Sequence, residues 1–138
     1  MIDFYKIIIG LALAALLPQI IKVITESVKS KQFRLSYFFL DGGWPSSHSS
    51  FVAALSVGMI ITQGLTSMFT LITLALSSIV IRDACGIRLE VGKQKKILEK
   101  LDPEDAKKAH LKREGHTMLQ IFSGILSGAI IMYLTLIL

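Results

Sequence analysis

The sequence predicts an all-α, polytopic membrane helix bundle of about four transmembrane spans, with short interfacial and cytoplasmic helices, and three observations carry that prediction. Hydrophobic residues make up 52% of the chain and charged residues only 18%. Mean hydropathy is +0.61, outside the soluble norm. Charge is also segregated, with fourteen of the fifteen Lys and Arg in Lys22–Arg34 or Arg82–Arg113. Both segments are flanked by apolar runs, the pattern of cytoplasmic loops under the positive-inside rule. The 138 residues make a single membrane domain, 1–138, in which 82–116 is a basic cytoplasmic loop holding short helices. A net charge of +5 would suit nucleic acid, but confinement of that charge to two loops excludes it as a partner.

Taken in order, the first span covers about Phe4 to Ile24. It ends near Pro18 and Gln19 rather than in a small-residue cleavage site, so it reads as a span and not a secretory signal. Pro18 is expected to kink it, and Gln19 and Lys22 fall one turn apart at its inner end. Lys22 either snorkels to the headgroups or points into the bundle, where it would hold an anion. Residues 32–41 form a short link whose Tyr37, Phe38 and Phe39 suit the interface. A second span runs from about Ser49 to Thr62 and a third from about Met68 to Ile81, with an uncharged turn between them. Both fall short of the roughly twenty residues that a lone span needs. Their ends must lie in the interface, or the helices must run on into polar sequence.

Residues 82–114 hold ten basic and seven acidic residues. Within them, Gly92 to Leu101 reads as a surface helix with Ile97, Leu98 and Leu101 on one side. Asp102-Pro103 reads as a new helix start, a cap followed by proline at the first position. The last span, Thr117 to Leu138, is uncharged and long enough to cross. Its Gly124 and Gly128 form a GxxxG, which marks close packing inside the bundle or a homodimer seam. A lone cysteine, Cys85, leaves no internal disulfide and no CxxC metal site.

Gly42 to Ser50, GGWPSSHSS, interrupts a stretch in which Asp41 is the only charged residue between Leu35 and Ile81. Gly42 and Gly43 permit φ > 0 and a close backbone approach to a ligand. Pro45-Ser46-Ser47 suits a helix start, where unpaired N–H groups and the helix dipole attract an anion. His48 then falls in the first turn. A plain turn and N-cap explains these residues as well. With both basic loops inside, this insert and Gly115-His116 open at the same membrane face, so His48 and His116 can meet in one pocket. Two histidines suffice for metal-independent phosphoryl transfer, one as nucleophile and one as proton donor. Arg82, Arg88, Lys112 and Arg113 are available cations, and arginine suits bidentate phosphate contact. Asp83 is the candidate carboxylate to hold a nucleophilic imidazole, unless it pairs with Arg82 or Arg88 instead.

These residues resemble a known family. Gly42 to Ser49 resembles the GGMPSSHS signature of the divergent branch of the phosphatidic acid phosphatase type 2 superfamily, with Trp44 in place of methionine. Arg82-Asp83-Ala84-Cys85-Gly86-Ile87-Arg88, followed by Gly92 and Gln94, is similar to that branch's DAxGVRR…GxQ segment. Gly115-His116-Thr117 with Gly124 and Gly128 is similar to its GHT…G…G segment, and Gln19 with Lys22 matches a Gln-x-x-Lys at the end of its first span. The resemblance implies a cofactor-free, metal-free phosphatase acting on a lipid phosphate drawn from the bilayer. Polyprenyl phosphate or pyrophosphate, phosphatidate and phosphatidylglycerol phosphate are all open as substrates. It further implies His116 as nucleophile, His48 as general acid, and Gly43, Ser46, Ser47, Lys22, Arg88 and Arg113 around the phosphate. The chain departs from the main branch at three places. It lacks Lys-x6-Arg-Pro, has His110 where an arginine precedes the nucleophile by six residues, and has Gln120 where an aspartate follows it by four. Those departures favour an alternative, a noncatalytic membrane protein that binds an anionic lipid headgroup or scaffolds a partner.

Overall fold

The computed structural model describes residues 4–39, 43–101 and 116–138, and among them every regular element is helical. Five α-helices follow one another: α1, Phe4–Ser30; α2, Ser47–Gln63; α3, Met68–Cys85; α4, Ile87–Leu101; and α5, Met118–Ile137. A short 3₁₀ helix, Leu35–Phe39, follows α1. The run 4–30, the run 68–101 that contains α3, and the run 118–137 are long and apolar enough to cross a membrane. Helix α2, with 17 residues and a length of about 26 Å, is shorter than these and packs between them.

The expected spans are present, with longer ends. Helix α1 runs six residues past Ile24 because nothing from Thr25 to Ser30 breaks a helix, and Lys29 pairs with Glu26 at 2.6 Å on its surface. It continues through Pro18, which is fully buried. Lys31, at φ 52°, ends it. Helix α3 takes the second of the two options for a short span and runs on into polar sequence. Arg82 and Asp83 form its last turn, and Gly86 closes it by donating its N–H to the Arg82 carbonyl at 2.8 Å. Helix α4 begins at Ile87, five residues before the expected Gly92, because the Gly86 turn and not Gly92 separates it from α3. The helix start at Asp102-Pro103 lies outside the described residues.

Helix α2 is the centre of the bundle. It packs against α1, α3 and, most extensively, α5. The arrangement inverts that of a soluble domain, because the buried helix is the one richest in small and polar residues. Ser47, Ser49, Ser50, Ala53, Ala54, Ser56 and Gly58 of α2 are all buried. Ile8 and Leu16 of α1, Phe69 and Ile79 of α3, and Phe122 and Ile130 of α5 face outward. That distribution suits lipid. Hydrocarbon tails are as apolar as leucine, so helices associate through close packing and hydrogen bonds rather than by hiding apolar surface from water. Small residues on α2 supply the packing. Ser56 and Ser77 supply the hydrogen bond across to α3, with their hydroxyls 2.9 Å apart.

Close packing decides the role of the GxxxG. A Cβ on Gly124 would run into the Ser46 carbonyl, and one on Gly128 into the Ser50 carbonyl. Ser46 and Ser50 are themselves one turn apart, so small-xxx-small on α5 meets small-xxx-small on the start of α2. The seam lies within one chain, and a homodimer through Gly124 and Gly128 would have to displace α2 from it. At the other end of the bundle the contact is apolar. The fully buried Met132 thioether fills a notch between Gly10 of α1 and Gly58 of α2, within a cluster of Ile7, Ala14, Ala54 and Leu136.

Candidate functional site

Three links between distant parts of the chain build one polar chamber at the end of the bundle where α2 and α5 begin and α3 ends. The Lys22 ammonium of α1 donates to Ser47 Oγ at 3.4 Å. The Ser46 N–H donates to the Gln120 carbonyl of α5 at 3.1 Å. The His116 N–H donates to the Ala84 carbonyl of α3 at 3.3 Å. Four helices thereby contribute to a single site, and both histidine-bearing segments open into it. The sameness of side expected from the loop charges holds.

The start of α2 is shaped locally. Gly43 stands at φ +81°, where a side chain would be strained, and Lys22 methylenes lie 3.8 Å from where its Cβ would be. The lysine stem therefore lies against the glycine backbone, with its charged end at the helix start. Ser46 is the N-cap, its Oγ accepting from the Ser49 N–H at 3.3 Å and from the Ser49 hydroxyl at 3.0 Å. Helix α2 proper starts at Ser47, which places His48 in the first turn as the sequence indicates. Lys22, Ser46, Ser47, Ser49, Ser50 and His116 are all buried, whereas His48 is exposed at the rim. A lysine 2% exposed, at a helix N-terminus, is a concentration of positive potential that bundle packing alone does not require.

His116 lies just ahead of α5, and Thr117 caps that helix. Thr117 Oγ1 accepts from the Gln120 N–H at 3.4 Å, and the Gln120 Oε1 accepts from the Thr117 N–H at 2.9 Å, a reciprocal capping box. The His116 imidazole is held below its ordinary value of 6.5, chiefly by burial and next by the Lys22 ammonium. His48 acts in the same direction, which places it within electrostatic reach, while the Gln120 side chain and the Gly43 backbone oppose the shift. His116 is accordingly neutral at pH 7, the state in which an imidazole can act as a nucleophile. Its Nδ1 is buried with no hydrogen-bond partner among the described residues.

The predicted residues divide into three groups. Lys22, Gly43, Ser46, Ser47, His48 and His116 come together. Asp83, half buried beside Ala84, is one residue from the backbone that anchors His116, yet it makes no hydrogen bond to His116 Nδ1. The Arg88 side chain and the whole of Arg113 lie outside the described residues, as do His110 and Lys112. Sequence reasoning missed the backbone roles of Ala84 and Gln120, which no side-chain pattern announces. It also missed Ser50, whose Oγ is buried without a partner among the described residues, although its spacing from Ser46 mirrors that of Gly124 and Gly128.

Comparison with known proteins shows what the chain is similar to. The Divergent PAP2 family matches residues 5–131. A protein of Bacillus subtilis (strain 168), named "Uncharacterized membrane protein YuiD", is 32% identical over 135 residues, covering 86% of this chain and 85% of its own. No solved structure matches the chain.

Proposed function

The chain belongs to the Divergent PAP2 family of membrane proteins, and from that premise we propose that it is a membrane-embedded, metal-independent phosphatase of a lipid phosphate. The observation that carries this reading is the convergence of a buried lysine, a helix N-terminus and two histidines at one end of the bundle. A phosphate ester drawn from the bilayer would place its oxygens against the Lys22 ammonium, the Ser47 hydroxyl and the start of α2, with Ser46 and Gly43 shaping the cradle. Arg88 and Arg113 are the further cations of the proposal. The neutral His116 attacks phosphorus as the bond to the lipid oxygen breaks, and protonated His48 gives its proton to the departing oxygen. A phosphohistidine results. Water then attacks it, His48 takes the water's proton, and inorganic phosphate leaves with His116 restored. Asp83, whose neighbour Ala84 holds the His116 backbone, is the acidic residue of the proposal. The positive-inside pattern supports a site at the cytoplasmic face of the cell membrane.

The test is release of phosphate from lipid phosphates in detergent. His116→Ala should abolish turnover, and His48→Ala should lower it by about 10²–10⁴-fold. Vanadate should inhibit the native chain. Full activity in the His116 variant would end the assignment.

The second reading, a noncatalytic binder of anionic headgroups, is favoured by one specific observation. Among the described residues no carboxylate bonds His116 Nδ1, and Gln120 spends its carbonyl on the capping box. Saturable phosphate or lipid-phosphate binding with no turnover of any lipid phosphate would select it.

A further inference from the structure

Beyond Arg88 in its first turn, helix α4 supplies no residue to the site proposed above, and among the described residues it packs against α3 alone. It is amphipathic. On a helical projection Ile87, Val91, Leu98 and Leu101 fall on one face with Ile97 at its margin, interrupted by Gln94 and by Glu90, which turns to pair with Lys93 at 2.6 Å, and Lys93 and Lys100 fall on the other face. Ile87, Ile97, Leu98 and Leu101 are 47–77% exposed, too much apolar surface for a helix in water. The segment 87–101 also carries five Lys or Arg against two Glu.

Two facts say what covers that face. First, connectivity fixes where α4 starts. Gly86 alone separates it from α3, a membrane-crossing helix, and Ala84, three residues earlier, bonds the His116 backbone. The helix therefore starts at the membrane boundary, level with the chamber. Second, its charge suits one kind of surface: an apolar strip backed by an excess of lysines complements a bilayer that carries negative headgroups. We propose that α4 lies in the plane of the bilayer beside the chamber and binds an anionic lipid surface. Its apolar strip sits among the acyl chains and its lysines sit at the headgroups. This role stands whether or not the chamber is catalytic. If the chamber does act on a lipid phosphate, α4 enriches anionic lipid at its mouth.

The experiment uses the full chain with Cys85→Ser. Single cysteines at 93, 97, 98, 100 or 101 carry a nitroxide, and the protein is reconstituted into vesicles of phosphatidylcholine alone or mixed with phosphatidylglycerol. Labels at 97, 98 and 101 should be open to oxygen and closed to a water-soluble nickel reagent, with the reverse at 93 and 100. Adding phosphatidylglycerol should move the apolar labels deeper, and Lys93→Glu with Lys100→Glu should cancel that added depth without changing the depth in phosphatidylcholine alone. Equal nickel access on both faces would overturn the proposal by placing α4 in water. Shielding of the apolar labels from both reagents would overturn it in favour of a protein partner or a second copy. Depth indifferent to phosphatidylglycerol would overturn the preference for anionic lipid.

Discussion

The two ends of the bundle are built from the same helices on different principles. At the end with the α2–α3 turn, packing is apolar and adjustable: Met132 fills a notch between two glycines, and a flexible thioether tolerates small changes around it. At the chamber end the contacts are polar and made by backbone. Ser46 and Ser50 press their carbonyls onto Gly124 and Gly128, Ser46 hangs from the Gln120 carbonyl, and His116 from that of Ala84. One end holds the helices together, and the other holds particular atoms at particular places. A buried lysine weakens packing relative to an apolar residue of the same volume, so the presence of Lys22 at the chamber end marks that end as the working one.

Substitutions should separate the two principles. The largest contrast is expected from Lys22→Met, which keeps the volume and removes the charge. Turnover, or phosphate binding under the second reading, should fall by about 10²–10³-fold. The melting temperature in detergent should hold or rise, because an apolar isostere at a buried charge is often neutral or stabilising. A fall in both would mean that the lysine is structural. Gly128→Ala comes next and should destabilise by about 3 kcal/mol, since its methyl meets the Ser50 backbone rather than a movable side chain. The same change at Gly58 meets the end of Met132 at 3.4 Å and should cost less than about 1 kcal/mol, because the thioether can yield. Equal costs at the two glycines, read from thermal melts, would erase the distinction between the ends. Met132→Ala should cost about 2–3 kcal/mol while leaving turnover per folded molecule unchanged.

The smallest effect concerns pH. His116 is depressed below 6.5 in the fold, so between its folded value and 6.5 the unfolded chain binds the extra proton. Stability from this group is therefore complete above 6.5 and is lost as pH falls through and below it. Melts between pH 7 and pH 5 should show a steeper acid decline in the native chain than in His116→Gln. The same depression keeps the imidazole neutral below pH 6.5, so a reaction needing neutral His116 should persist into mildly acid solution.

Much of this was legible in the residues. Apolar runs gave the spans, because a bilayer admits few alternatives to a helix. The loop lysines and arginines put both histidines on one side, and Gly43, Ser46 and His48 announced the turn, the cap and the first helical turn. Helix ends were less visible. Residues 25–30 and 82–85 are polar but contain no breaker, so hydropathy stopped before the hydrogen bonds did. Lys22 stood between two readings, snorkelling or inward, and only packing against Gly43 decides it. The Ser46–Gln120 and His116–Ala84 bonds were invisible for a simpler reason: a backbone carbonyl is the same at every residue.

The central position of α2 has a consequence for biosynthesis. Its serine-rich start is covered by α5, and every residue from 64 to 117 is made in between. Until the ribosome delivers that segment, the serines have no glycines to nest against and Lys22 has no His116 beside it. The chamber thus comes into being only after α5 has been made. A nascent chain stalled before Thr117 would carry α1 to α4 and no assembled site at all.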